Sequence, residues 1–162
     1  GEAVDEPTVP DGVIRAWSVS NAFEESDLEG QFMPPEQSLT WSALASERNG
    51  VANLARVTPM SQGQNTVLAS LSIDSEASTI REMSFGYSDR VRVYLNGQQI
   101  YAGNAQWRAR DHRHLGTIAF VDRLPLRLDA GENTLTFAVS ESFGGWGVAA
   151  ALEDQDGLTI RP

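Results

Sequence analysis

Between Arg90 and Ala102 the chain alternates with a period of two and then turns back on itself. Val91, Val93 and Leu95 fall on one face, Arg92 and Tyr94 on the other, Asn96-Gly97 follows, and Gln98–Ala102 returns with Ile100 inward. Residues i, i+2 and i+4 of a strand share a face, and Asn-Gly readily supplies the two positive-φ residues of a type I′ turn. The segment is therefore expected to be an antiparallel hairpin with one apolar face. Such a face needs a second layer to cover it.

The rest of the chain supplies that layer in strand-sized pieces. Val13, Arg15, Trp17, Val19, Asn21 and Phe23 are placed by alternation on one strand face, with Trp17 in the core. Val51–Val57 follows the Asn49-Gly50 turn, and in Thr66–Asp74 the residues Val67, Ala69, Leu71 and Ile73 point one way. Ile80–Phe85, Leu115–Val121, Leu124–Leu128 and a strand through Leu135, Phe137 and Val139 are further candidates. In Trp146–Leu152, Trp146, Val148, Ala150 and Leu152 share a face, while Gly147, Ala149 and Ala151 leave the other open to close approach by another layer. Asp156-Gly157 then turns the chain into Leu158–Arg161. Trp41–Arg48 is ambiguous, since Trp41, Leu44 and Ala45 line up on a short helix but the segment is short and runs into Asn49-Gly50, and Glu24–Gln37, with no period of either kind, reads as a long surface loop. Residues 1–12, with four acids and two prolines, read as an acidic tail, and 13–162 as one domain. A chain of 162 residues can bury about two-thirds of its unfolded surface in a single core. The expectation is an all-β sandwich or barrel of about eight to nine strands.

Charge and composition remove several functions. Twelve basic against 22 acidic residues leave a net charge of −10, which opposes the phosphate neutralisation that nucleic-acid binding requires. Cysteine is absent, so disulfides, thiolate metal sites and cysteine nucleophiles are excluded. All the basic residues are arginine, which excludes Schiff-base chemistry and a P-loop lysine. No apolar run approaches the ~18 residues needed to cross a bilayer, so membrane insertion is not expected. The start Gly1-Glu2-Ala3-Val4-Asp5-Glu6 lacks Met and a signal-peptide core. We read it as a trimmed start and expect a periplasmic or secreted protein, an expectation that a cytoplasmic full-length precursor on fractionation would overturn.

Two segments carry a family resemblance. Arg90-Val91-Arg92-Val93-Tyr94-Leu95-Asn96-Gly97 and, some thirty residues on, Leu128-Asp129-Ala130-Gly131-Glu132-Asn133-Thr134-Leu135 resemble the galactose-binding-like jelly rolls that accompany many glycoside hydrolases. The resemblance covers residues 66–152 and implies a jelly-roll β-sandwich. It raises carbohydrate binding as a function, and it allows a structural calcium held by loop carbonyls and acids. The motifs themselves report a turn and the start of a strand, and the superfamily also includes lipid-surface binders, protein binders and spacers.

Chemistry concentrates between Trp107 and His114, where three arginines, Asp111, two histidines and an indole occupy eight residues. Guanidinium forks match carboxylates and an indole face stacks on a sugar ring, so Trp107, Arg108, Arg110, Asp111 and His112 are the candidate contacts for an acidic glycan, with Tyr87 and Trp146 beside them. The competing reading is internal: Arg108, Arg110 or Arg113 pairs with Asp89, Asp111, Asp122 or Glu141 and pins the loop to the sheet. His112 and His114 are too few for a transition-metal site and stand among arginines. Glu153–Gly157 resembles the start of a calcium loop but lacks the later acid an EF-hand needs, so a hairpin turn is expected. No Gly-x-Ser-x-Gly is present, and the adjacent Glu24 and Glu25 are insufficient to assign acid–base catalysis. Trp41 joins Trp107 as a stacking candidate. The reading that results is a non-catalytic carbohydrate-binding module or accessory domain without a required cofactor. A structural or protein-interaction domain is the alternative, and a glycan-active hydrolase or lyase a third.

Overall fold

The computed structural model describes residues 9–31, 38–57, 63–104, 120–141 and 146–162. Among them are eleven strands and no α-helix: β1 (Ala16–Ser20), β2 (Trp41–Ala45), β3 (Ala52–Asn53), β4 (Thr66–Ser75), β5 (Thr79–Ser88), β6 (Arg90–Leu95), β7 (Gln98–Asn104), β8 (Asp122–Leu128), β9 (Gly131–Ser140), β10 (Gly147–Leu152) and β11 (Leu158–Arg161). They form two antiparallel sheets. The larger runs β2-β1-β4-β9-β6-β7, with β11 sharing the β1 side of β4; the smaller runs β3-β10-β5-β8. This is a β-sandwich, one of the two architectures that the alternation allows. No helix among the described residues is long and apolar enough to cross a membrane.

The inward positions of the two sheets make one core. Trp17, Val67, Ala69, Leu71, Val91, Val93, Leu135 and Phe137 of the larger sheet meet Met83, Phe85, Leu126, Val148 and Ala150 of the smaller. At its centre the Trp17 ring stands edge-on to Phe137 at 5.5 Å, and Phe85 stands edge-on to Phe137 at 5.8 Å and to Tyr101 at 5.2 Å, an arrangement that suits aromatic quadrupoles. Asn96 and Gly97 carry φ of 53° and 82°, the conformation the hairpin turn needs. Gly147, Ala149 and Ala151 face away from this core and are nevertheless buried, the close approach their small side chains allow.

Four segments depart from the alternation reading. Val19 lies opposite Ala69, but Phe23 bridges Thr66, a one-residue shift in register between the two points. A shift of one turns every later side chain to the other face, and Phe23 joins Leu28, Leu68, Tyr94 and Ala138 in a second, smaller cluster outside the sandwich. Glu24–Gln37 is not simply a surface loop: Glu25–Gln31 forms a 3-10 turn, Leu28 is buried in that cluster, and the Arg92 guanidinium donates to the Leu28 carbonyl at 2.5 Å. Strand structure in Val51–Val57 stops at Asn53, whose side chain accepts from the Ala55 N–H at 3.2 Å and starts a 3-10 turn at Leu54–Arg56. Trp41–Ala45 is a strand, paired with β1 along its whole length. Leu115–Val121 lies outside the described residues except for its last two.

Candidate functional site

Strands β5 and β6 of opposite sheets meet at one end of the sandwich with a single residue, Asp89, between them. The Ser88–Asp89 peptide is cis. Asp89 donates its N–H to the Ser140 carbonyl at 2.8 Å and accepts from the Ser88 hydroxyl at 2.9 Å. Glu141, directly after β9, donates its N–H to the Asn65 carbonyl at 3.0 Å. Asp89 has no exposure and Glu141 is 7% exposed, so two carboxyl groups are held inside this end. Burial pushes the Glu141 carboxyl above the usual carboxylate range, and the charge of Asp89 adds to the effect.

A second pair lies beside them. The Arg90 guanidinium forks onto Glu25, with Nε to Oε2 at 2.8 Å and Nη2 to Oε1 at 2.7 Å. Asn65 Nδ2 donates to Glu25 Oε1 at 3.5 Å and to the Glu141 carbonyl at 3.4 Å, and the Thr66 and Ser140 hydroxyls are 2.7 Å apart. The hydrogen bond from Arg90 holds the Glu25 carboxyl below its ordinary range against the opposing effect of burial, and Glu25 in turn raises Arg90. The end is thus a packed polar network built from β4, β6, β9 and the turn after β1. Glu25 and Asn65 were not singled out by sequence reasoning as site residues. Their partners are 65 and 76 residues away, a separation that carries no local signal.

The sequence-predicted contacts divide into two groups. Trp107, Arg108, Arg110, Asp111 and His112 lie outside the described residues. The described flanks of that segment sit on edge strands: Asn104 ends β7 opposite Arg90, and β8 begins at Asp122 opposite Phe85. Tyr87 and Trp146, by contrast, are parts of the core, 6% and 3% exposed. The Trp146 indole N–H donates to the Val139 carbonyl at 3.1 Å, and Tyr87 stacks on Phe85 at 6.2 Å. Neither presents a ring face to solvent. At the same end Gly147, the first residue of β10, lies opposite Ser88, the last of β5, directly before Asp89.

Among the described residues no three His, Asp or Glu side chains are grouped to hold a metal ion. Glu153–Gly157 forms a turn in which Leu158 N–H reaches the Gln155 carbonyl at 3.0 Å, and the Arg81 guanidinium donates to the Asp154 and Asp156 carbonyls at 3.0 and 2.8 Å. A cation already occupies those oxygens.

Fold and site together define an antiparallel β-sandwich with a polar, arginine-bearing end. No family model matches the chain, and no curated protein does. Among solved structures it is similar to a family 35 carbohydrate binding module from an environmental isolate, with a TM-score of 0.38 and 14% identity over 58% of this chain and 68% of that one. It is also similar to a beta-glucosidase from Kluyveromyces marxianus in complex with glucose, with a TM-score of 0.38 and 12% identity; the match covers 88% of this chain and 15% of the enzyme. At this distance the function must be argued from the chain's own residues.

Proposed function

We propose that this β-sandwich is a non-catalytic carbohydrate-binding module or accessory domain of the galactose-binding-like, jelly-roll kind, working in the periplasm or outside the cell. The ligand is an acidic glycan. Its carboxylates are taken by Arg108 and Arg110, with Asp111 and His112 accepting and donating to ring hydroxyls and Trp107 stacking on a sugar face. Tyr87 and Trp146, both buried, belong to the core of the sandwich that carries the segment. One observation carries the reading: a segment with three arginines and an indole, in a chain of net charge −10, is strung between edge strands of the two sheets. Variable connections held by a rigid scaffold are where binding residues concentrate. A structural calcium in the end loops is part of the proposal, and no cofactor is required for binding.

A glycan-array screen of the purified domain, with and without calcium, tests it. Uronic-acid or sialic-acid ligands should bind, and Trp107→Ala should abolish binding with the fold intact. A blank array from folded protein would contradict the proposal.

A second reading has its own support. Buried Asp89 and Glu141 stand at the same end, and carboxylates there suit arginines of this chain as well as they suit a network of their own. On that reading the segment is a clasp and the domain binds a protein partner. A tight complex in pull-down, together with a blank glycan array, would favour it.

A further inference from the structure

The outer face of the larger sheet holds a cleft of about 280 Å³. Strand register builds its floor. Ser18 of β1 lies opposite Ser70 of β4, Ser70 opposite Thr136 of β9, and Ser72 opposite Thr134. These residues alternate with the inward Val19, Ala69, Leu71, Leu135 and Phe137, so their hydroxyls point away from the core. Trp41 is paired with Ser20 and therefore stands on the same outer face, where it forms one wall and leans on the Phe23–Leu28–Leu68–Tyr94 cluster. Glu132 forms the far wall and accepts from the Ser72 hydroxyl at 3.4 Å. The floor is ordered: Ser70 Oγ is 3.0 Å from Thr136 Oγ1 and donates to the Leu135 carbonyl at 3.3 Å.

The lining selects a ligand by its chemistry. An indole wall offers an apolar plane for the C–H face of a sugar ring. Serine and threonine hydroxyls donate or accept as a ring hydroxyl requires, and a carboxylate can accept from two neighbouring hydroxyls at once. The size is at the lower end of small-ligand sites, enough for a single ring. Among the described residues no arginine or histidine lines the cleft. Asp74 lies opposite Glu132 in the ladder, and the nearby Arg161 is 3.9 Å from Asp74, so the balance of charge is negative and disfavours uronates and phosphates.

We infer that this cleft is a second glycan site, selective for a neutral pyranose and held by Trp41, Ser18, Ser70, Ser72, Thr134 and Glu132. It goes beyond the acidic-glycan site proposed above and shares no residue with it. A chain with both sites would engage two different sugars of one polymer, and linked contacts of this kind raise the effective affinity of each.

The test is an NMR titration of the full chain with methyl glycosides of glucose, galactose, mannose and xylose, and with glucuronic acid as the charged control. At least one neutral probe should move the Trp41 indole and the Ser70, Ser72 and Thr134 amides saturably, with a Kd of about 1 mM, and glucuronic acid should bind about tenfold more weakly. Trp41→Ala should weaken the neutral probe about tenfold or more, and Trp107→Ala should leave it unchanged. A second variant, Ser72→Ala with Thr134→Val, removes floor hydroxyls without touching the Trp41 cluster and should also weaken binding. Absence of saturable shifts with all neutral probes, or shifts that survive both cleft variants, would overturn the inference. Uronate binding at Trp107 with a silent cleft would remove this site alone, and a neutral sugar at Trp41 with no uronate binding would remove only the acidic-glycan site.

Discussion

Arg90 and Glu25 join through two hydrogen bonds of 2.7 and 2.8 Å and fasten the turn after β1 to the first residue of β6. Their side chains are 21% and 33% exposed, so water screens the pair and its worth is about 1 kcal/mol. Because the native Glu25 carboxyl is held below its ordinary value, the folded chain binds fewer protons than the unfolded one in the interval between the two. Its contribution is complete above the ordinary glutamate value and lost as pH falls through the native one. Glu25→Gln should therefore cost about 1 kcal/mol in urea unfolding near pH 7, and the cost should shrink progressively as pH falls below the ordinary glutamate value.

Glu141 predicts the opposite sign. Its native carboxyl is raised by burial and by Asp89, so the folded chain holds the proton more tightly. Stability from this group is present below the ordinary glutamate value and falls as pH rises through the native one. Glu141→Gln removes that loss. The variant should gain stability relative to the parent near neutral pH and show no gain in acid, measured by the same unfolding curves. A uniform destabilisation at both pH values would contradict the assigned environment.

The Asn133 side chain takes part in five hydrogen bonds. It is fully buried, accepts from Asp129 N–H at 2.9 Å and Asn96 Nδ2 at 3.0 Å, and donates to the carbonyls of Asp129, Gly131 and Ile73 at 2.9, 3.1 and 3.2 Å. Asn133→Leu would strand these groups without solvent and should cost about 3 kcal/mol or more in thermal or urea unfolding.

Gly103 touches the other sheet. A Cβ there would overlap the Tyr87 hydroxyl and stand 2.9 Å from the Tyr101 ring. Gly103→Ala should cost about 1–3 kcal/mol, and the cost should shrink in a Tyr87→Phe background, where the hydroxyl is gone. A double-mutant cycle in unfolding free energy checks it; equal costs in both backgrounds would contradict the contact.

Trp17 is central to the core, yet among the described residues no hydrogen-bond acceptor reaches its indole N–H. Trp17→Phe keeps most of the ring and removes the unsatisfied donor, so it should cost much less than the ~3–5 kcal/mol expected for Trp17→Ala. Unfolding midpoints of the two variants compare them directly.

The sandwich was legible where inward apolar residues recur with period two, and this holds even on β6, whose other face buries Tyr94 in the second cluster. Val91, Val93 and Leu95 illustrate this, and the positive φ of Asn96 and Gly97 follows from residue type. The motif ending in Asn133 was visible as a turn, but its role as a five-bonded hub depends on Ile73, sixty residues away, which no local pattern encodes. Phe23 was misplaced for a related reason: a single register shift between Ala69 and Thr66 leaves no mark on the sequence. At the candidate site, sequence marked the residues rich in charge and aromatic rings. Composition could not distinguish an exposed indole from Trp146, whose N–H is satisfied inside the core. Nor could it find Glu25 or the hydroxyl floor beside Trp41, since both are made by strands brought together only in the fold.

The most direct test of the glycan-binding account is a titration of isotopically labelled chain with an oligogalacturonide, following tryptophan indole and arginine Nε–H resonances together. The account predicts saturable shifts at Trp107, Arg108 and Arg110, with Trp17 and Trp146 unmoved in the core. No saturable shift at those three side chains, in a chain whose core resonances show it folded, would contradict it.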